Sequence, residues 1–257
     1  MGFLFGKNKQ QNSTDNVKAT ENQPVISLTK NPELNKTICL RKDIIQKKAQ
    51  RTSFEGKKAR VVFVLDHSGS MRKMYNNGTV QTLLERIFPM AMYFDDNSEL
   101  DFYWFDSLFR ELPPVTPALL EDYVNKIILA NPERFGGTCY APVMNEIFKK
   151  YVKISSANIP TFVIFITDGA NSDKGDASKA LINASRYNIF WKFIGIGKER
   201  FEFLERLDNL KGRFIDNANF VNVNDLYSIS DDDLYTLLLE EYDEWLTLCR
   251  KSGIPVD

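Results

Sequence analysis

Two stretches of the chain are apolar without interruption, residues 61–65 (V-V-F-V-L) and 162–166 (F-V-I-F-I). Runs of this length, rich in β-branched residues and free of polar alternation, predict strands buried on both faces, as in a parallel sheet. Residues 99–105 alternate and are aromatic, predicting another strand, and 189–197 (I-F-W-K-F-I-G-I-G) predict one more. Residues 108–112 read as a short edge strand stopped by Pro113-Pro114. Residues 212–215 and 220–223 read as short extended pieces. Between the strands run helical stripes. Residues 80–94 place Leu83, Leu84, Ile87, Phe88 and Ala91 on one face, with Pro89 expected to kink or break the helix. Further helices are predicted over 118–129, from Thr138 towards Tyr151, and over 177–187, 201–210 and 231–249. Strands alternating with helices predict a three-layer α/β/α Rossmann-like fold. Its central sheet should be mostly parallel, with one short antiparallel edge strand.

The N-terminal part reads differently. Residues 7–24 are polar, and 1–24 are expected to be a disordered tail. The segments 25–30 (V-I-S-L-T-K) and 37–42 (T-I-C-L-R-K) alternate, which predicts two strands of a small basic β segment with its linker, residues 25–56. The main domain is then 57–250. Charge follows the same division. Residues 1–58 carry 12 Lys/Arg against 5 Asp/Glu, a net of +7, whereas the other 199 residues carry 21 against 29, a net of −8. The whole chain is close to neutral, so no global field points to nucleic acid.

Candidate chemistry is narrow. The three cysteines, Cys39, Cys139 and Cys249, are far apart, and His67 is the only histidine. A zinc site, a disulfide framework and a Ser-His-Asp triad all lack their residues, and the cysteines read as reduced thiols of a cytoplasmic protein. No apolar run reaches a membrane span, and position 6 is Gly where a myristoylation motif wants Ser or Thr. What stands out is the end of the first apolar strand, where Asp66, Ser68 and Ser70 follow as D-H-S-G-S. Open α/β sheets place ligands beyond such strand ends, and oxygen donors of this type suit Mg²⁺ or Mn²⁺.

D-x-S-x-S resembles the first motif of the metal-ion-dependent adhesion site (MIDAS) of the von Willebrand factor A (vWA) family. That family takes further ligands from a Thr in a glycine-bearing loop and from an Asp in T-D-G after a later strand. Here Thr138 stands in G-G-T and Asp168 in I-T-D-G. Other stretches are similar to the tellurium-resistance, TerF-like group of vWA domains: Y-N-N-G-T-V-Q (75–81), F-D-D-N-S-E-L-D (94–101), L-P-P-V-T (112–116), A-P-V-M (141–144) and I-T-D-G-A-N-S-D (166–173). So are 189–197 and R-F-x-F-L-E-R-L-D (200–208). The resemblance covers about residues 57–250.

It implies that Ser68 and Ser70 bind the metal through their hydroxyls, Thr138 binds directly or through water, and Asp66 and Asp168 mostly hold metal-bound water. It further implies a non-enzymatic protein-binding module whose partner offers a Glu or Asp carboxylate to the metal. That module would be an adaptor in a bacterial tellurium-resistance or stress-response system, beside other Ter-type proteins, with no nucleic acid or membrane expected. Two alternatives stay open at this point. One is a Mg²⁺-dependent phosphohydrolase using Asp66 as nucleophile, although Ser68 stands where its second Asp is wanted. The other is a metal-free scaffold. His67, on the opposite side of the strand from the ligands, is expected to pack. Cys139 is expected to be a small buried residue starting a helix, and Asn171, Asp173 and Asp176 to be solvated loop polarity.

Overall fold

A computed structural model of the chain describes Gly2 and residues 28–95, 98–130, 135–154 and 158–256. Six strands form one sheet: β1 Arg60–Asp66, β2 Leu100–Phe105, β3 Phe109–Val115, β4 Thr161–Thr167, β5 Ile189–Ile196 and β6 Ala218–Val223. Their order is β3-β2-β1-β4-β5-β6. All neighbours are parallel except β2 and β3. The expected doubly covered sheet with one antiparallel edge strand is present. Alternation in β1 feeds two separate cores. Val61, Phe63 and Leu65 join one cluster, Val62 and Val64 the other. The strand order reverses between β1 and β4, whose carboxyl ends therefore flank the crevice where such sheets take ligands.

Helices α2 Arg72–Asn76, α3 Thr79–Phe94, α4 Pro117–Leu120, α5 Ala141–Ile154, α6 Lys174–Ala184, α7 Glu202–Asp208, α8 Asp231–Leu239 and α9 Tyr242–Lys251 complete the domain behind an N-terminal helix, α1 Pro32–Ala49. The expected helix over 118–129 divides into α4 and a π-helical turn, Val124–Leu129. Residues 212–215 are not a strand, and the sheet resumes only at Ala218. In β3 the two prolines do not stop the strand. Pro113 and Pro114 sit where its register with β2 shifts between Leu100 and Phe102, an edge bulge that needs no N–H donors.

The predicted N-terminal β segment is corrected. Residues 25–27, like most of the tail, lie outside the described residues, and 28–30 form no strand. Residues 37–42, read as a strand, belong to α1, Pro32–Ala49. Asn31 caps this helix, its side chain accepting from the backbone N–H groups of Glu33 (3.1 Å) and Leu34 (3.2 Å), with Pro32 in the first turn. Asn35 ties down the approach by exchanging hydrogen bonds with the Thr29 backbone, 2.7 and 3.0 Å. Ile38, Ile45 and Ala49 are fully buried in the same core as α3 and α8. A helix that buries its apolar side against a neighbour outweighs a six-residue alternation, because tertiary burial decides between weak local preferences.

Pro89 is another instance. Helix α3 runs through it unbroken, although Pro89 cannot donate to the Glu85 carbonyl. Arg41 of α1 supplies the missing donor, its guanidinium reaching that carbonyl at 3.1 Å. Arg41 also binds Asp231 at the start of α8, and Arg86 of α3 binds the other oxygen of the same carboxylate, both at 2.8 Å. One acid thus holds two guanidinium groups whose side chains are only 14% and 7% exposed. Asp231→Ala should cost about 2 kcal/mol, below the 3–5 kcal/mol of a fully buried pair because Asp231 itself is partly solvated. An unchanged urea midpoint would show that the acid does not join the three helices.

Residues 231–249, expected as one helix, are two. The chain breaks at Glu241, whose φ of 62° is left-handed. Lys192, fully buried in β5, donates to the Glu240 carbonyl at 3.0 Å and to the Asn219 side chain. That carbonyl is held by the sheet instead of by the next helical turn.

Candidate metal centre

β1 ends at Asp66, and the chain then turns through a short 3₁₀ segment, Gly69–Met71, into α2. The turn is built by Asp66 itself. Its Oδ1 accepts from the Ser68 N–H at 2.7 Å, and its Oδ2 accepts from the Thr167 hydroxyl at 2.5 Å, which couples β1 to the end of β4. The Ser68 and Ser70 hydroxyls lie 3.0 Å apart, and Ser70 donates to Asp168 Oδ1 at 2.8 Å. Four of the five expected residues therefore form one continuous hydrogen-bonded chain: Asp66, Ser68, Ser70 and Asp168.

Thr138 arrives on a separate loop. Gly136 bridges Ser68, and its carbonyl accepts from the Gly69 N–H at 3.2 Å. The Thr138 carbonyl accepts from the Ser172 N–H at 2.9 Å, so this loop lies between the β1 and β4 turns. The glycine at 136 has a steric reason. A Cβ there would sit 2.5 Å from Asp106 Oδ2, in the turn between β2 and β3.

Supporting residues that pattern reading did not assign fix this geometry. The Tyr75 hydroxyl donates to the Asp66 carbonyl at 2.9 Å, and that of Tyr140 donates to the Gly169 carbonyl at 2.7 Å. Both rings are buried. Thr167 stood beside Asp168 in the T-D-G motif, but only the parallel register of β1 and β4 reveals that it faces Asp66. Asp173 is not mere solvated loop polarity. Its carboxylate accepts from the Tyr140 and Ala141 N–H groups, 2.9 and 2.7 Å, and so caps α5. Cys139 precedes the helix and is partly exposed, its sulfur 3.2 Å from the Ser172 hydroxyl.

His67 packs, as expected. Its ring stacks on Phe135 with centroids 4.1 Å apart and lies 4.4 Å from Trp104. Burial lowers its pKa to about 4 against the pull of Asp106, so the ring is neutral at pH 7.

Electrostatically the centre favours a cation. Burial pushes the Asp66 carboxyl up to about 6, against hydrogen bonds from Thr167 and Ser68 that favour the anion. Asp168 is raised too, chiefly by burial, with the Ser70 hydroxyl opposing and the charge of Glu199 adding. A buried carboxylate beside a half-buried one is costly without positive charge nearby. The donor set is oxygen only. Among the described residues no cluster of three or more His, Cys, Asp or Glu could hold a metal ion, so any ion here would rely on hydroxyls. An octahedral Mg²⁺ with bonds of 2.0–2.1 Å has neighbouring ligand oxygens about 2.9 Å apart. The serine pair at 3.0 Å and the Ser70–Asp168 pair at 2.8 Å match that edge.

The fold has known counterparts. Residues 58–255 match the family model described as vWA found in TerF C terminus, vWA-TerF-like. The chain is 42% identical over 218 residues to protein YcbR of Bacillus subtilis (strain 168), an alignment that takes in 82% of this chain and 88% of YcbR. Among solved structures it is similar to proximal thread matrix protein 1 from the mussel byssus. That match has a TM-score of 0.55 at 14% identity over 71% of this chain, and spans about half, 47%, of the byssus protein. It is also similar to the manganese-loaded TRAP protein of Plasmodium vivax, with a TM-score of 0.51 at 16% identity, covering 72% of this chain and 73% of that one. These two likenesses establish the architecture, and the family match over nearly the whole main domain makes the chain a member of the vWA family of the type found in the TerF C terminus.

Proposed function

We propose that the chain is a divalent-metal-dependent protein-binding module in which Asp66, Ser68, Ser70, Thr138 and Asp168 hold Mg²⁺ or Mn²⁺. The observation that carries this reading is the hydrogen-bonded chain from Asp66 to Asp168, in which the Ser68–Ser70 and Ser70–Asp168 oxygen spacings suit an octahedral ion. The manganese-loaded state of TRAP, which shares the architecture, supports it. A metal bound by neutral hydroxyls supplies unneutralised positive charge, to which a partner's Glu or Asp carboxylate is attracted. The protein's own share is positioning. Asp66 orders the turn, Thr167 fixes Asp66, Tyr75 and Tyr140 brace both strand ends, and the Gly136 loop brings Thr138 alongside.

The family's description, vWA found in TerF C terminus, supports reading the module as an adaptor in a tellurium-resistance or stress-response assembly, with other Ter-type proteins among its partners. The three cysteines are free thiols, which supports a cytoplasmic setting. No helix among the described residues is long and apolar enough to cross a membrane. A binding role is favoured over phosphoryl transfer because Asp66 is fully buried and both its oxygens already accept hydrogen bonds. A nucleophile needs an open line to its substrate.

Thermal melts with EDTA and with millimolar Mg²⁺ or Mn²⁺ test the metal. At a hundredfold excess over Kd, binding to the native state alone adds about 2.7 kcal/mol, or roughly 5–10 °C for a chain of this size. Wild type should shift and Asp168→Ala should not. Equal melts for both proteins in all conditions, together with partner capture indifferent to EDTA, would reject the reading.

A further inference from the structure

The loops at Cys139, Gly169 and Ser70 each line a cavity, and the three differ in character. The one between α5 and α6, about 460 Å³, has Asp173 and Asp176 in its wall beside Lys179. The one at Gly169 is bordered by Lys174 and Arg200 but measures only about 70 Å³. A third, about 510 Å³, begins at Gly69 and Ser70 and is completed by Arg72, Lys73, Asn76 and Asn77. Its lining holds two cations and two amides and no carboxylate. It is the roomy cavity whose charge invites an anion, and it shares Ser70 with the metal centre.

Its arginine is held in place. The Arg72 guanidinium lies over the Phe135 ring, 4.9 Å from the centroid, and Phe135 is itself stacked on the buried His67 ring. Stacking engages the face of a guanidinium and leaves its N–H edge free for a carboxylate. Among the described residues neither Arg72 nor Lys73 has an acidic partner. Arg41 and Arg86, by contrast, are committed to an internal acid, Asp231. Two unpaired cations beside a cavity, one of them braced by the Phe135–His67 stack, form a surface with low ordering cost for an incoming anion.

We infer that this cavity is a second anion subsite, which binds a further carboxylate of the same partner segment whose first carboxylate completes the metal centre. The partner is then recognised through an acidic segment carrying two carboxylates close in sequence. The inference rests on the metal-dependent reading above. It adds a requirement that a lone Glu or Asp does not meet. Selectivity arises because a segment with one acid leaves Arg72 and Lys73 unanswered, while a segment of basic character is repelled.

The test uses the full chain and immobilised Gly/Ser octapeptides. One peptide carries a single glutamate, and the others carry a second glutamate one to four positions away, all measured in millimolar Mn²⁺ and in EDTA. The best two-acid peptide should bind wild type about tenfold tighter than the one-acid peptide, with the advantage shrinking as salt rises. Arg72→Gln with Lys73→Gln should reduce that ratio to below about twofold, while the Mn²⁺-induced melting shift stays. Asn76→Asp with Asn77→Asp, which brings acid into the same cavity, should reduce it independently. A ratio unchanged in both variants, or no preference for two acids at any spacing despite a melting shift, overturns the subsite and leaves the metal reading standing. Peptide binding that is equal in Mn²⁺ and EDTA overturns the metal reading, and this inference with it.

Discussion

A chain beginning at residue 57 should melt at least about 10 °C below the full protein, although the family match begins at residue 58. Removal of α1 and the turn after it takes away Ile38, Ile45 and Phe54, all essentially inaccessible to solvent in the full chain. Each such side chain contributes about 1.5–3 kcal/mol by burial, which together is a large share of a typical 5–15 kcal/mol. The freed entropy of the removed helix returns part of this. The remaining domain is nevertheless left with an apolar strip on α3 and α8, a Glu85 carbonyl without its donor, and Asp231 with one guanidinium instead of two. Circular dichroism melts of the two chains decide it. Equal midpoints would mean that α1 is an accessory and that the family boundary is also the folding boundary.

Between about pH 7 and pH 9 the protein should become more stable, and Lys192→Met should remove most of that rise. Burial holds the Lys192 amine down to about 7, although Glu240, Glu241 and Asp208 pull it up. Unfolded, the same amine titrates near 10.4. In this window the unfolded chain carries a proton on Lys192 that the native protein has largely lost. Stability therefore increases with pH, by up to about 1.4 kcal/mol per unit, or roughly 2–3 kcal/mol across the window. Below about 7 both states are protonated and the contribution is level. Asp208, raised to about 6, titrates beneath the window, and Cys249, pushed up to about 12, lowers stability only above the ordinary thiol range. The comparison is one of slopes, because the methionine also leaves Asn219 and the Glu240 carbonyl without their donor. Parallel urea-midpoint curves for the two proteins would show that Lys192 does not titrate in this range.

Much of this architecture is written locally in the chain. The β1 and β4 runs, the D-H-S-G-S turn and T-D-G each announce themselves, since a strand buried on both faces leaves no polar positions to confuse the period. The turns that carry the proposed ligands follow at once, and their convergence is fixed by the parallel pairing of β1 with β4. What escapes local reading depends on distant partners. Helix α1 carries its buried residues at 38, 45 and 49, so a six-residue window over 37–42 sees only alternation. Its start was nonetheless marked by Asn31-Pro32, a capping residue followed by a proline suited to the first turn. The break at Glu241 has no glycine or proline to announce it. It depends on an amine from β5, nearly fifty residues earlier in the chain. Thr167 likewise gains its role only when Asp66 lies across the sheet.

The two prolines of β3 have a consequence for how this molecule meets others. An edge strand without those N–H groups, and out of register with its neighbour, makes a poor template for a visiting strand. On that flank, main-chain pairing is discouraged, whether with a stray peptide or with a second copy at high concentration.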